Sequence, residues 1–153
     1  MPRTLEDYHA RIEAHMAEGD SLLAARDPAI VSHVRQRIAD AAVLIASYQL
    51  FVHREVFAPL LDHPDAAARA RVTEIKAECI ALTEDLRFNV KEFLARDQVL
   101  DWDLTAARVA WFNKRVRGHI ASVGRLMAGP LGPAERAASA ARAGDRVGAQ
   151  QAA

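Results

Sequence analysis

The sequence predicts an all-α protein, an up-down-up-down antiparallel four-helix bundle. Of its 153 residues, 51% are hydrophobic and only 6% aromatic. Alanine is abundant, which favours closely packed helices around a single core. Apolar residues recur at the 3.6-residue spacing of a helix in four successive segments. The connections between these segments are short, so neighbouring helices are expected to be antiparallel.

The first predicted helix spans about residues 4–25. Thr4 is its expected N-cap, because a Thr there can accept a hydrogen bond from a free backbone amide. Asp7 follows three residues later and completes a pattern similar to a capping box. This start and the apolar spacing behind it predict one continuous helix.

The second predicted helix begins at Asp27 and Pro28, an N-cap residue followed by a proline at the first helical position. It continues to about Leu61. Pro59 falls in its last turn and is expected to kink or end it, because proline has no amide hydrogen to donate.

The third predicted helix starts at Asp65 as its N-cap and ends near Arg96. The fourth runs from about Asp101 to Met127. The chain thus divides into a bundle over residues 1–128 and a tail over residues 129–153. The tail is rich in Ala, Gly and Arg with few large apolar residues, a composition that predicts a flexible segment.

Each predicted apolar stripe is interrupted once by a polar or metal-capable residue. The four interruptions are His9, Gln49, Cys79 and His119. Counting outward from each turn places them at similar depth along the bundle. Four-helix bundles build core sites from such inward residues on facing helices. His53 lies one turn after Gln49 and can share its face, so it joins the candidate set.

Composition narrows the function classes. The chain has 20 basic and 20 acidic residues, and this absence of a basic excess argues against nucleic-acid binding. Its single cysteine excludes an intrachain disulfide and suits the cytoplasm. Neither a signal peptide nor an apolar run long enough to span a membrane is visible, so no membrane association is expected. A monomer or a homodimer is expected, and a protein partner is compatible with these features.

The positions of the polar residues resemble the hemerythrin-like family, also known as HHE cation-binding domains. The run from Tyr8 to Ile12 matches the family's first-helix pattern at His9. Counting back from Pro59 puts Gln49 at a family His position and His53 at a family Glu position. The resemblance covers roughly residues 4–130.

The second half of the resemblance contains departures from the family pattern. Cys79, after Glu78, stands where the family has His. His119 is kept, but Val123 occupies the following carboxylate position. The family binds two non-haem irons through His and bridging carboxylates, and those carboxylates are missing here.

The resemblance therefore implies a metal-binding or sensing protein with a reduced, non-standard site. It implies His9, His53 and His119 as ligands of one ion, with Gln49 and Cys79 as further cofactor-binding residues. The ion would be non-haem iron or another divalent metal. No nucleophile–base pair, phosphate loop or dinucleotide motif is present, so an enzyme is not expected.

Two other functions fit the same residues. One is a metal-free regulatory or protein-interaction bundle, in which Gln and His form a polar network in the core. In that case Cys79 is simply a small buried side chain. The other is a bundle that binds haem or another small ligand, with His119 or Cys79 as the axial ligand of a haem.

Overall fold

The computed structural model of the chain describes residues 2, 4–95 and 99–129. All regular structure in these residues is helical, which confirms the all-α class. The described residues form four long helices and a short one: α1 (Leu5–Ala25), α2 (Val31–Val52), α3 (Ala58–Leu61), α4 (Ala66–Ala95) and α5 (Trp102–Ala128). The predicted tail falls almost wholly on residues 130–153, which lie outside the described residues, as does the connection at 96–98.

The helices begin where side chains can satisfy their free amides. Thr4 Oγ1 accepts a 3.1 Å hydrogen bond from the Asp7 amide, and the Asp7 carboxylate accepts one from the Thr4 amide, so the expected capping box is present. Asp27 caps a short 3₁₀ turn, Pro28–Ile30, that leads into α2. Asp101 caps α5 by accepting from the Leu104 amide.

Thr4→Ala is expected to lower the free energy of unfolding by about 1 kcal/mol, because it leaves an N-terminal amide of α1 without its acceptor. Urea denaturation followed by circular dichroism measures the change. Thr73→Ala is the matched control, since Thr73 lies within α4 and its hydroxyl donates to the Arg69 carbonyl. That control should be neutral or slightly stabilising. Equal losses in both variants would contradict the capping role.

The helical path of α2 continues past Val52 through a wide π turn, His53–Phe57, into α3. The Ala58 amide donates to the His53 carbonyl five residues back, as a π turn requires. Pro59 is the second residue of α3, with Ala58 between it and this turn, so its missing donor falls at the start of that helix. The predicted end near Leu61 is confirmed, and the perturbation expected from Pro59 takes the form of this turn.

The long helices pack pairwise, α1 against α2 and α5, and α4 against the same two helices. The contacts between α1 and α2 include Tyr8 with Ser47 and His15 with the Arg37 carbonyl, so residue numbers rise on one helix as they fall on the other. The same order holds between α1 and α5 in two side-chain pairs, Glu13 with Arg117 and Asp20 with Asn113.

The described residues contain two groups of buried apolar side chains. The larger fills the middle of the assembly and the end near α3, and includes Tyr8, Tyr48, Phe57 and Val123. The smaller lies at the other end, around Leu23, Val34 and Leu100. As far as the structure describes the chain, its helices are too short or too polar to cross a membrane.

Candidate functional site

His119 is the centre of a polar cluster inside the helical assembly. Its side chain projects inward from α5 and is only 1% exposed. Its Nδ1 lies 3.4 Å from Oε2 of Glu78 on α4, within hydrogen-bond reach. The ring of Tyr48 on α2 meets it edge-on, with 6.0 Å between ring centroids. Three helices therefore contribute to the surroundings of one buried imidazole.

Tyr48 connects His119 to His9. The Tyr48 hydroxyl lies 3.3 Å from Nε2 of His9, and their ring centroids are 5.6 Å apart. Burial raises the pKa of Tyr48, with a further contribution from Cys79, so the phenol keeps its proton. The hydroxyl can therefore donate to a neutral His9, which lies at the edge of the core and is half-buried.

Gln49 does not occupy the inward position that the sequence analysis assigned to it. The inward residue at this level of α2 is Tyr48, which is 3% exposed, whereas Gln49 is half-buried. Consecutive residues on a helix point about 100° apart, so only one of them can face the core directly. The predicted stripe on α2 was therefore wrong by one residue at this point.

His53 opens the π turn and belongs to the same region. Its ring lies against Phe57, with 5.3 Å between centroids, and its Nε2 is buried. In the described part of the chain, Nε2 of His53 and Nε2 of His119 both have no hydrogen-bond partner. Buried polar atoms are nearly always paired with protein, water or an ion, so two such nitrogens need an explanation.

The three histidines share a direction of pKa change. Burial lowers the pKa of His9, His53 and His119, and it outweighs the opposing effect of the Glu78 carboxylate on His119. His119 also lowers the pKa of the other two through charge repulsion. All three rings are thus favoured in the neutral form, which has a lone pair on one nitrogen.

Cys79 is buried on α4 and is a free cysteine. Burial raises the pKa of its thiol to about 12, and the neighbouring Glu78 carboxylate adds to the rise. A protonated thiol is neither a metal ligand nor a nucleophile, because both roles require the thiolate. In this state the geometry matches the alternative in which Cys79 is a small core side chain.

The expected ligands are not assembled into a metal site. Among the described residues, no group of three or more His, Cys, Asp or Glu side chains is placed to hold an ion. Val123, at the position of a family carboxylate, is fully buried in the apolar core and offers no oxygen. A carboxylate-bridged pair of irons therefore does not fit this donor set.

A second feature lies away from this cluster and was not anticipated from the sequence. A partly open cavity of about 610 Å³ lies between α1, α2, α4 and α5 in the half of the assembly that contains the start of α5. Its walls include neither His119 nor Cys79. A haem in this cavity would thus lack both of the axial ligands that the sequence analysis named for it.

Comparison with known proteins adds no family to these observations. No protein-family model matches the chain. No curated protein and no solved structure matches it either. The hemerythrin-like resemblance consequently depends on the residues themselves.

Two residues of the polar cluster, Tyr48 and Glu78, were not among the site residues predicted from the sequence. Tyr48 was not singled out, although it contacts both His9 and His119. Glu78 is exposed on α4, and Oε2 of its carboxylate lies 3.4 Å from Nδ1 of His119. Their position in the sequence, next to Gln49 and Cys79, is the signal that could have pointed to them.

Proposed function

We propose that the chain is an up-down-up-down bundle of hemerythrin-like type. Supporting this topology, paired residues run in opposite order between α1 and α2 and between α1 and α5. The pairs His119 with Glu78 and Arg115 with Asp85 give the same opposite order for α4 and α5. The presence of His9 and His119 in one buried cluster is what the resemblance implies.

We further propose that this bundle binds a single divalent transition-metal ion in its polar core and responds to it. The observation that carries the proposal is the environment of His119. Nδ1 of this ring faces the Glu78 carboxylate, while Nε2 is buried and has no partner within the described residues. Histidines that bind a metal through one ring nitrogen commonly donate the N–H of the other to a carboxylate, which fixes the tautomer and orients the ring.

The tautomer follows from these contacts. When the Nδ1–H of a neutral His119 donates a hydrogen bond to Glu78, the lone pair must reside on Nε2. Placing a cation at this nitrogen would satisfy an atom that is otherwise buried without a partner. Imidazole nitrogen suits Zn²⁺, Cu²⁺ and Fe²⁺, so the donor set favours this class of ion over Mg²⁺ or Ca²⁺.

His53 supplies the second nitrogen and His9 the third in this proposal. His53 Nε2 is also buried and has no hydrogen-bond partner among the residues described, so no such bond is broken when it binds. His9 is engaged with the Tyr48 hydroxyl at 3.3 Å and would have to leave it. Binding therefore requires side-chain rotation, because the three rings do not form a ligand group as they stand.

An ion held in this way would connect α1, α2 and α5. An ion that binds only the folded chain raises its free energy of unfolding. The stability of the bundle would therefore change with the concentration of available metal. Such coupling is compatible with a sensing role in the cytoplasm, with a protein partner that recognises the stabilised bundle.

Metal analysis of the purified chain tests the proposal. After supplementation with Zn²⁺ or anaerobic Fe²⁺ and desalting, we expect close to one equivalent by elemental analysis. His119→Ala should weaken binding in a titration more than tenfold, and Glu78→Gln by about 10–100-fold through loss of the orienting carboxylate. Metal content below about a tenth of an equivalent would refute a site with three imidazole ligands.

Matched variants separate the site from surface binding. Exposed His33 on α2 and exposed Glu74 on α4 are the controls, as His33→Ala and Glu74→Gln. Both should retain the affinity of the parent chain. If His33→Ala lowers the metal content as much as His119→Ala, the bound ion is on the surface and the core site is wrong.

A metal-free regulatory bundle is the second candidate, favoured by the lack of a preformed three-donor group in the described residues. The polar cluster then serves only to specify packing, with water as the partner of the unpaired nitrogens. In this case His9→Ala combined with His119→Ala should cost core stability while a partner still binds. A folded double variant that no longer binds its partner would count against this candidate.

A further inference from the structure

The side of α2 that faces away from the core carries two large apolar side chains in water. Val43 is 72% exposed and Leu50 is 75% exposed. They lie two helical turns apart, so both project from the same side of the helix. Ala39 and Ala46 lie on that side between and before them and add only small side chains. These four residues form what we call the outer surface of α2.

This part of α2 has no charged residue on any of its sides. From Ala41 to His53 the chain contains no Asp, Glu, Lys or Arg, which is the longest such run in the sequence. The inward side of the same stretch, including Ile45, Tyr48 and Val52, is buried in the larger core. A helix that is apolar all round is normally covered all round. The outer surface of α2 is therefore expected to be covered by a partner.

Opposite charges lie at the two ends of this run. Asp40 precedes it and accepts from Nε2 of Gln36 at 2.8 Å, one turn away on the same helix. Arg54 follows it and pairs through Nε with its neighbour Glu55 at 2.6 Å. A carboxylate has a second oxygen and a guanidinium has further N–H groups, so both can bind another partner. Arg54 is the more exposed member of its pair, with 79% of its side chain in water against 48% for Glu55.

The outer surface of α2 is complementary to its own copy when that copy is turned end to end. The two apolar side chains and the two charges share nearly the same midpoint along the helix, next to Ala46. Rotation by 180° about that point sets Val43 of one copy against Leu50 of the other. The same rotation sets Asp40 against Arg54 twice, once at each end of the pair. A parallel copy would instead bring like charges together, which is unfavourable.

We propose that the chain forms a homodimer in which two copies of α2 pack antiparallel through this outer surface. Val43 and Leu50 leave water at the centre of the interface, which supplies the driving force. Ala39 and Ala46 have small side chains, which let the two helices approach closely. The interface lies on the opposite side of α2 from the buried Tyr48, so it does not depend on the metal proposed for the polar core.

The length of the surface sets the strength of the dimer. From Asp40 to Arg54 it spans roughly 21 Å, at ~1.5 Å of rise per residue. Specific interfaces commonly bury about 800 Å² on each partner, and smaller ones belong to weak complexes. One pair of helices of this length buries less than that, so we expect a dissociation constant in the micromolar range.

Sedimentation equilibrium of the full chain tests the proposal, with a chelator present to remove metal. Between about 1 and about 200 µM protein, the mass should rise from that of the monomer towards that of the dimer, as a micromolar dissociation constant requires. A chain that stays monomeric over this range would overturn the homodimer and leave the outer surface of α2 to a different partner.

A substitution in the outer surface locates the interface. Leu50→Asp should weaken dimerisation at least tenfold, because it buries a charge opposite Val43 of the partner. Phe88→Asp is the matched control, since Phe88 is also a large apolar residue, 65% exposed, but lies on α4. Phe88→Asp should leave the dissociation constant unchanged. If both variants keep the dimer, or both lose it equally while their circular dichroism matches the parent, the interface is not on α2.

Charge reversal tests the antiparallel arrangement. At low ionic strength, Asp40→Arg alone and Arg54→Asp alone should each weaken the dimer about tenfold, because two attractive pairs become repulsive. The double variant that carries both changes should dimerise like the parent, since each end of the pair again has opposite charges. Single variants that dimerise like the parent, or a double variant no stronger than the single ones, would overturn the pairing of Asp40 with Arg54.

Discussion

Phe57→Ala is expected to lower the free energy of unfolding by about 3–5 kcal/mol, a large part of the stability of a small domain. Phe57 is 0% exposed and is the largest fully buried side chain among the described residues. Its removal takes an aromatic ring out of the larger core and leaves a cavity that the packed helices close only in part. Urea denaturation followed by circular dichroism measures the loss.

Phe88→Ala is the control, because Phe88 lies on α4 and is 65% exposed. Its unfolding free energy should change by less than about 0.5 kcal/mol. A loss below about 1.5 kcal/mol in Phe57→Ala would mean that the π turn does not hold this ring in the core.

Phe57 is a buried residue that the 3.6-residue spacing of a regular helix does not predict. Val52, Val56 and Leu60 follow helical spacing from the end of α2 through the π turn into α3, and all three are buried. That spacing does not include Phe57, because the π turn widens the helix there and lets two consecutive side chains face the core. A proline in the last turn indicated a perturbation, but its form depends on tertiary packing around it.

The helix ends could be predicted because they depend on local chemistry. Thr4, Asp27 and Asp65 were predicted as caps, and each accepts a hydrogen bond from an amide within three residues in the structure. Such contacts are encoded by neighbours in the chain and need no knowledge of the rest of the fold.

The polar cluster could be predicted only in part. His119 was expected in the core and is buried there. Gln49 was also expected there, but it is half-buried and the adjacent Tyr48 is the buried residue. A rotation of about 100° about the helix axis decides between them, and the aromatic ring gains more from burial than the amide. The Glu78 contact depends on the relative height of α4 and α5, which no local pattern contains.

The cavity could not be predicted from the sequence, for a related reason. Small residues such as Gly19 and Ala41 lie on its walls. Small side chains can let helices approach closely or leave a space between them, and the sequence pattern is the same in both cases. Only the distances between all four helices decide which of the two occurs.

In the presence of a chelator, the free energy of unfolding is expected to fall as the pH drops below about 6.5. Burial lowers the pKa of His9, His53 and His119 from the ordinary value of 6.5, so the folded chain resists protonation of these rings. The unfolded chain takes up these protons first. Stability rises with pH wherever the unfolded state binds more protons, so this contribution is complete above pH 6.5 and is lost below it.

Denaturation at about pH 7.5 and about pH 5.5 measures this slope before carboxylate protonation becomes important. His119→Gln should show a smaller loss between the two values, because it removes the most buried of the three rings. Raising the salt concentration should leave the slope nearly unchanged, since desolvation of a buried ring is not screened as surface charges are. Stability that stays constant or increases on acidification would show that these imidazoles are already protonated or hydrated in the folded chain.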